Sequence, residues 1–501
     1  MTTLSATTTG TISSAGIGSG LDVNAIVTAL MAVEQQPLTA LQATATSMQT
    51  RLSAFGQIQS LVSDLQTAAK PMFDPSSFKL TTTGSSDPTS VSAATTSGAA
   101  TGIYSVSVAS LSAGQSVVST AGQFADGTAV VGTGSLTIRL GTWTSSAPPG
   151  GAPTLSFAPK AGSSDITIPV GASENTLAAI RDKINAADAG VTAAIVTDAS
   201  GARLALQSSA TGAANGFRVT VADDDGDNAD AAGLSRLSYD PSTSPPQMTL
   251  AQTAANTQAT INGIAVSSDS NTLSGVIDGM TFSLGKVTTQ PVTVNVTRNT
   301  DSIKTMVSSF VSAYNALNGF LATETHYDAT NKQAALLQGD STTTGIQQQM
   351  HALVSQSTGA SSTFSTLSSI GVRMQKDGSL TLDDAAFGNA LAKLPELTKA
   401  LSNVDPSVAA NVGFGKRFSD WTTGLLNSGG TLPGKTDSIK SSLTLNQKNQ
   451  DALSARLTQT EARLRGQYTA LDTTMAKANA LAAYVNQQFY YTGPNSSSTK
   501  G

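Results

Sequence analysis

The run Ile439–Phe489, "IKSSLTLNQKNQDALSARLTQTEARLRGQYTALDTTMAKANALAAYVNQQF", sets how the rest of the chain is read. Ile439, Leu443, Asn446, Gln450, Leu453, Leu457, Thr460 and Leu464 follow alternating steps of four and three. That is the heptad seam of a coiled-coil helix. One extra step of four leads to Tyr468, a stutter that locally unwinds a supercoil. The series then continues through Leu471, Met475, Ala478, Ala482, Val485 and Phe489. About fifty residues in one helix would span roughly 75 Å, too long and too narrow-faced for a compact globule. Asn446, Gln450 and Thr460 on the seam weaken pairing while restricting register.

The beginning of the chain mirrors this end. "SSAGIGSGLDVNAIVTALMAVEQQPLTALQ" (13–42) passes from small residues into a helical pattern at Asp22, whose carboxylate suits an N-cap. Gly16, Gly18 and Gly20 do not fit G-x-G-x-x-G and follow no strand. They read as a flexible joint ahead of the capped helix. Ile26, Val27 and Leu30 open its apolar series. Pro37 kinks the helix or restarts it in a new first turn. Leu38, Leu41, Ala45, Met48, Leu52 and Phe55 then form a heptad seam, followed after a stammer by Ile58, Val62, Leu65 and Ala69. Pro71 and Pro75 are expected to end it.

Between these helices, from about residue 80 to 297, the period is that of strands. "GIYSVSVASL" (102–111), "SLTIRLG" (135–141) and "PVTVNVTR" (291–298) alternate apolar and polar residues. "QATINGIAVSS" (258–268) places Asn262-Gly263 between two short strands, a type I′ hairpin signal. One helix lies inside this region: Ser173 caps "ENTLAAIRDKINAA", with Leu177, Ile180 and Ile184 on one face and Gly190 as the stop. "VTAAIVTD", "RLALQS" and "FRVTVAD" follow as strands, and the helix is expected to pack on their short antiparallel sheet. From Asp301 helix returns, with Ile303, Val307, Phe310, Tyr314, Leu317 and Leu321 in one stripe. A hairpin turning at Asp377-Gly378 and further helix to about residue 425 complete the pattern.

The fold class expected is α+β and multidomain: terminal α-helical coiled-coil legs, a helical or mixed middle domain, and inserted β-rich head domains. The expected divisions are a disordered tail at 1–20, an N-terminal coiled-coil helix at 21–70, and a helical or mixed leg domain at 71–100 with 298–438. A β head domain takes 101–130 with 250–297, a second head domain 131–249, a C-terminal coiled-coil helix 439–490, and a tail 491–501.

Composition narrows the function. Charged residues make up 12% of 501, with net charge −5, so no basic face for nucleic acid is indicated. The absence of cysteine excludes disulfides, thiolate zinc sites and cysteine nucleophiles. No apolar run long enough to insert in a membrane occurs. "MTTLSATTTGTISSAG" has neither the basic nor the apolar region of a secretory signal peptide.

The enzyme-like strings lack the context their chemistry needs. "GGTLPGKT" (429–436) fits G-x-x-x-x-G-K-[ST], but no buried strand precedes it and Pro433 removes an N–H from any phosphate cradle. It reads as a helix–helix turn. "DDDGDN" (223–228) places glycine fourth and Leu234 twelfth, against the calcium-loop pattern, and reads as a solvated turn. His326 and His351, the only histidines, read as surface residues. No catalytic residue, cofactor or metal is expected.

Taken in order, these blocks resemble the flagellar filament cap proteins, the hook-associated protein 2 family. "GIGSGLDVNAIVTALMAVEQQPLTAL" is similar to that family's N-terminal block. "IRDKINAADAGVTAAIVTDASGARLALQSSATG" resembles the flagellin/hook IN motif, with Ile184-Asn185 as the IN pair. "INGIAVSSDSNTLSGVIDGMTFSL", "FVSAYNALNGF", "LSSIGVRMQKDGSLTLDDAAF" and "LSARLTQTEARLRGQYTALDTTMAKANAL" follow in the family's order. Gly141–Ala161, rich in Pro and Gly, departs from it and reads as an insertion loop.

The resemblance implies a structural cap at the distal tip of the filament that helps exported flagellin fold and insert, and that stops its leakage. It implies a homo-oligomeric ring, expected as a pentamer, and export through the flagellar type III apparatus. Flagellin, an export chaperone on the C-terminal helix, and the hook–filament junction proteins are the implied partners. Leu21, Ile26 and Leu30 at one end and Leu471, Met475 and Val485 at the other are the expected filament or leg contacts. The rival readings are a tip-exposed adhesin for mucin or glycans, a P-loop NTPase and a junction protein.

Overall fold

The computed structural model describes residues 22–147, 154–243 and 246–491. In chain order the helices are α1 (Val23–Glu34), α2 (Gln36–Phe73), α3 (Leu177–Ala186), α4 (Thr300–Thr325), α5 (Ser341–Ser355), α6 (Asp384–Leu391), α7 (Leu394–Ser402), α8 (Phe414–Leu426) and α9 (Thr431–Tyr491). The strands are β1 (Thr81–Ser85), β2 (Val91–Thr95), β3 (Gly102–Ser110), β4 (Ser116–Ser119), β5 (Gly134–Ser146), β6 (Thr154–Pro159), β7 (Ile166–Val170), β8 (Val191–Asp198), β9 (Gly201–Ser208) and β10 (Gly216–Asp223). They continue with β11 (Met248–Gln252), β12 (Thr257–Ile261), β13 (Ile264–Ser268), β14 (Thr272–Ile277), β15 (Met280–Leu284), β16 (Val292–Arg298), β17 (Tyr327–Asp328), β18 (Gln333–Ala334), β19 (Val372–Met374) and β20 (Leu380–Leu382). Two compact units result: one of the residues up to Asp74 and from Lys304 onward, the other Pro75–Ile303.

In the helical unit Asp22 caps α1, its Oδ1 accepting from the Ala25 N–H at 2.9 Å. The chain restarts after Gln35 with Pro37 in the first turn of α2, where no helical acceptor awaits its missing N–H. Phe55, Ile58, Val62, Leu65 and Ala69 are wholly buried. Each of the four larger side chains contributes about 1.5–3 kcal/mol on burial. The α4 stripe is equally buried, and Phe310 meets Phe418 of α8 edge-on, with centroids 4.9 Å apart.

Two helix ends differ from expectation. Pro71 lies inside α2, which runs on to Phe73. So near a helix end, the cost is one hydrogen bond. The last helix starts at Thr431 rather than Ile439, and its 61 residues take in Pro433 within the first turn.

In the β unit the sheets are antiparallel. One orders β1-β16-β3-β12-β13 and faces a second, β14-β15-β2, around a core of Val106, Phe282, Val294 and neighbours. Residues 81–95 are part of these sheets, although the sequence reading assigned 71–100 to the helical leg. Asn262 and Gly263 take φ of 51° and 81°, the left-handed pair that a type I′ turn requires.

A second core gathers α3, the sheet β11-β4-β9-β8 and the sheet β10-β5-β6 with β7 on β5. Here "FRVTVAD" does not join β8 and β9 as expected. As β10 it pairs with β5, Gly216 opposite Gly141 and Asp223 opposite Gly134. Of Gly141–Ala161, read as an insertion loop, 148–153 lie outside the described residues and most of the rest is strand, with β5 and β6 paired from Gly141–Pro159 to Ser146–Thr154. The cap of α3 is Thr176, whose Oγ1 accepts from Ala179 N–H at 3.3 Å, not Ser173.

Candidate functional site

The terminal helices run antiparallel. Val23, Val27 and Met31 of α1 bury against Leu457 of α9, with Leu38, Leu453, Leu464 and Tyr468 packed alongside. Arg465 donates to Asn24 Oδ1 at 2.8 Å across the pair and to Glu461 Oε1 at 2.9 Å along α9. The α9 seam is as expected from Ile439 to Tyr468: each of its positions is buried or half-buried. Two of its polar members bond to each other along the helix, Gln450 Nε2 donating to Asn446 Oδ1 at 2.5 Å.

The expected contact residues fall elsewhere. Leu21 lies outside the described residues, as do Gly16, Gly18, Gly20 and both tails. Ile26 is half-buried and Leu30 is 40% exposed, because α1 turns the Val23–Val27–Met31 stripe inward instead. Beyond Tyr468 none of the α9 residues described, up to Tyr490, is buried. Leu471 is 46% exposed, Met475 40% and Val485 41%, with Leu481 and Tyr484 more open still. Leu471, Met475 and Val485 continue the four-and-three spacing, so they lie on one apolar stripe about 21 Å long at 1.5 Å per residue.

The Ile184-Asn185 pair has a clear physical role. Ile184 is 1% exposed in the second β-unit core, beside Leu177 and Ile180. Asn185 projects from the same turn of α3. Its Nδ2 donates to Ala193 O at 2.9 Å and its Oδ1 accepts from Ala193 N–H at 2.7 Å. β8 is the edge strand of its sheet, so these backbone groups face outward. The amide occupies the place of a neighbouring strand, anchoring the helix and blunting the edge.

The enzyme-like strings are accounted for by packing. Gly429–Thr436 takes in the end of the turn from α8 into α9 and the first residues of α9. A Cβ on Gly430 would stand 2.6 Å from the Gly424 and Leu425 carbonyls, so glycine is required by close approach. Lys435 is not open to phosphate: its Nζ lies 2.6 Å from Asp340 Oδ2 and over the Phe55 ring. Asp223 ends β10 and accepts from Ser235 N–H at 3.0 Å, while Asp225 and Asp227 close local turns. His326 is exposed, but His351 is half-buried, with Nε2 2.8 Å from Asn318 Oδ1, and burial lowers its pKa. Sequence reading missed this because α5 turns that face toward α4. Among the described residues no group of acidic residues and histidines is placed to hold a metal, and no helix is long and apolar enough to cross a membrane.

Family models match most of the chain. One described as the flagellar hook-associated protein 2 C-terminus covers residues 254–480, and its N-terminal counterpart covers 19–115. A flagellin hook IN motif model covers 154–210. The flagellar hook-associated protein 2 of Escherichia coli (strain K12) is 32% identical over 490 residues, 95% of this chain and 98% of that protein. The A-type protein of Pseudomonas aeruginosa is 30% identical over 487 residues, 94% of this chain and 96% of its own. A crystal structure of three domains of the flagellar cap protein FliD from Escherichia coli superposes with a TM-score of 0.58 at 29% identity. It covers 77% of this chain and 99% of that one.

Proposed function

Since the chain belongs to the flagellar hook-associated protein 2 family, the caps of the flagellar filament, we propose that it helps exported flagellin fold and join the growing filament and prevents its escape. It does so as a ring of its own copies at the distal tip, after passage through the flagellar export apparatus. The family is one of structural proteins, not of enzymes. The observation that carries this reading is the apolar stripe of α9 beyond Tyr468. A soluble helix does not retain exposed Leu471, Met475 and Val485 on one line without a partner surface, because each costs free energy in water. The filament end supplies that surface, and before export the chaperone covers the same stripe. Polar seam positions nearer the body keep the pair weak enough to shift as subunits are added.

The test is Leu471→Asp. Leu471 is already half in solvent, so the free protein should fold as before by circular dichroism. In cells the variant is expected to be exported at normal level, while filaments stay short and flagellin accumulates in the medium. Normal filament length at normal export would sink the assignment of this stripe as the working contact.

A further inference from the structure

The first β core is closed on one side and open on the other. Where the edges of β1 and β2 meet, hydroxyls stitch them: Thr83 Oγ1 donates to Ala93 O and Ser85 Oγ to Val91 O, each at 2.6 Å, and Thr95 Oγ1 to Thr81 O at 3.2 Å. At the opposite side β13 and β14 follow each other in sequence but do not pair. A cavity of about 500 Å³ opens between them, lined by Val266, Ser268, Thr272, Leu273, Ser274 and Val276. Leu273 is its buried floor. In an antiparallel ladder alternate residues turn their N–H and C=O away from the partner. Asn262 N–H bonds toward β3, so Ile264, Val266 and Ser268 face β12, while Ala265 and Ser267 face outward. Leu284 N–H on Asn271 O sets the same count on β14, which turns Ser274 outward. Neither strand carries a lysine or proline of the kind that guards an edge.

The same unit carries an element shaped to fill such a gap. β5 and β6 stay paired to Ser146–Thr154, past the ends of β10 and β7, which stop opposite Gly141 and Ile138. Trp143 and Phe157 anchor this hairpin, their rings 4.8 Å apart and Trp143 Nε1 donating to Phe217 O at 3.0 Å. Beyond them Thr144–Ser146 and Thr154–Ser156 are exposed, with Leu155 38% open. Neither strand of the arm holds a charge between Thr142 and Ser146 or between Thr154 and Ala158. The cavity rim adds one, Asp269, so no charge opposes their contact.

We propose that the β5–β6 arm of one copy adds as a strand to the open β13/β14 side of the next copy, with Leu155 over Leu273. A closed ring needs a heterologous interface, in which donor and acceptor surfaces differ. Arm and open side are such a pair, and strand addition lets backbone groups supply affinity while an alternate side chain sets register. The inference rests on the ring reading above and names the contact within it.

The chain has no cysteine, which permits a direct test. Leu155→Cys and Ser274→Cys both change exposed positions, and their folding is checked by circular dichroism. The two full-length variants, mixed under mild oxidation, should give at least about ten-fold more covalent dimer than either alone. Leu155→Lys should cut ring yield at fixed concentration by a similar factor. Rings visible by electron microscopy without mixed cross-linking, or with cross-links chiefly between like variants, would overturn the arm contact and leave the ring reading standing. Absence of both rings and cross-links would overturn both.

Discussion

Replacing Asn185 by Ala removes both hydrogen bonds that hold Ala193 to α3. Each neutral hydrogen bond contributes about 0.5–1.5 kcal/mol net. Asn185 is exposed, so water can reach the Ala193 groups once the amide is gone. That places the loss at about 1–2 kcal/mol rather than at the larger cost of burying unsatisfied groups. Ile184→Ala, one residue earlier, acts differently. Ile184 is 1% exposed, and truncating a core isoleucine costs about 2–5 kcal/mol in lost transfer energy and cavity. For a domain of this size about 2–4 °C in Tm accompanies each kcal/mol. The β-unit transition, followed by calorimetry on the full chain, should therefore fall by about 2–8 °C for Asn185→Ala and further for Ile184→Ala. Asn185→Asp keeps an acceptor for Ala193 N–H but sets a carboxylate oxygen against Ala193 C=O, and should be no milder than alanine. The Ala193 amide should exchange with solvent faster in each Asn185 variant. A Tm unchanged by Asn185→Ala, or a reversed order of the two alanine variants, would refute the clamp.

Three further outcomes follow from the helical unit. Tyr314 is wholly buried and its hydroxyl finds no hydrogen-bond partner, so Tyr314→Phe should leave stability unchanged or raise it by up to about 1 kcal/mol, and a clear loss in chemical denaturation would contradict this. Lys399 and then Ser361 hold the Glu396 carboxyl down from 4.5 to about 2. A depressed pKa stabilises the folded state above the unfolded value and is lost as pH falls, so the wild-type advantage over Glu396→Gln should be full above pH 4.5 and fade towards pH 2, as followed by acid titration of circular dichroism. Lys435→Ala removes the partner of Asp340, which is 13% exposed, and should lower stability by about 1–3 kcal/mol without any change in ATP response; ATP protecting the wild-type protein in thermal melts would restore the phosphate-loop reading.

The helices were the most legible part of the chain, because a period constrains every position at once. The steps through Leu443, Asn446, Gln450, Leu453 and Leu457 all fall on the inward face of α9, although its buried Leu432 and Thr436 lie before the series begins. The short α1 defeated the same logic. "VNAIVTALMAVE" offers two neighbouring apolar stripes, Ile26–Leu30 and Val23–Val27–Met31, and only the partner helix chooses between them. Strand alternation and turn signals gave the β8–β9 and β12–β13 pairs and located β3, β5 and β16, but not the partners that lie far off in sequence. β10 therefore went to the wrong sheet. Ser173 and Thr176 are both good caps, and the choice depends on which hydroxyl reaches a free N–H.

The candidate contacts are harder to read because a functional stripe and a core stripe look alike in sequence. Leu457 and Leu471 occupy the same seam of α9, yet one is 6% exposed and the other 46%. The difference lies in what runs beside them: α1 accompanies α9 only as far as Tyr468. Up to that point the seam serves this chain, and its polar Asn446 and Gln450 satisfy each other along the helix. Past it the same spacing continues into solvent. Among the described residues nothing packs over Leu471, Met475 or Val485, and that exposure is the ground for proposing them as a contact for another surface. The β unit follows the same logic in reverse, since Asn185 covers the edge of β8 while β13 and β14 remain bare. Protection at one edge makes the open one informative, because a fold able to blunt an edge with a single amide has left another available for a strand.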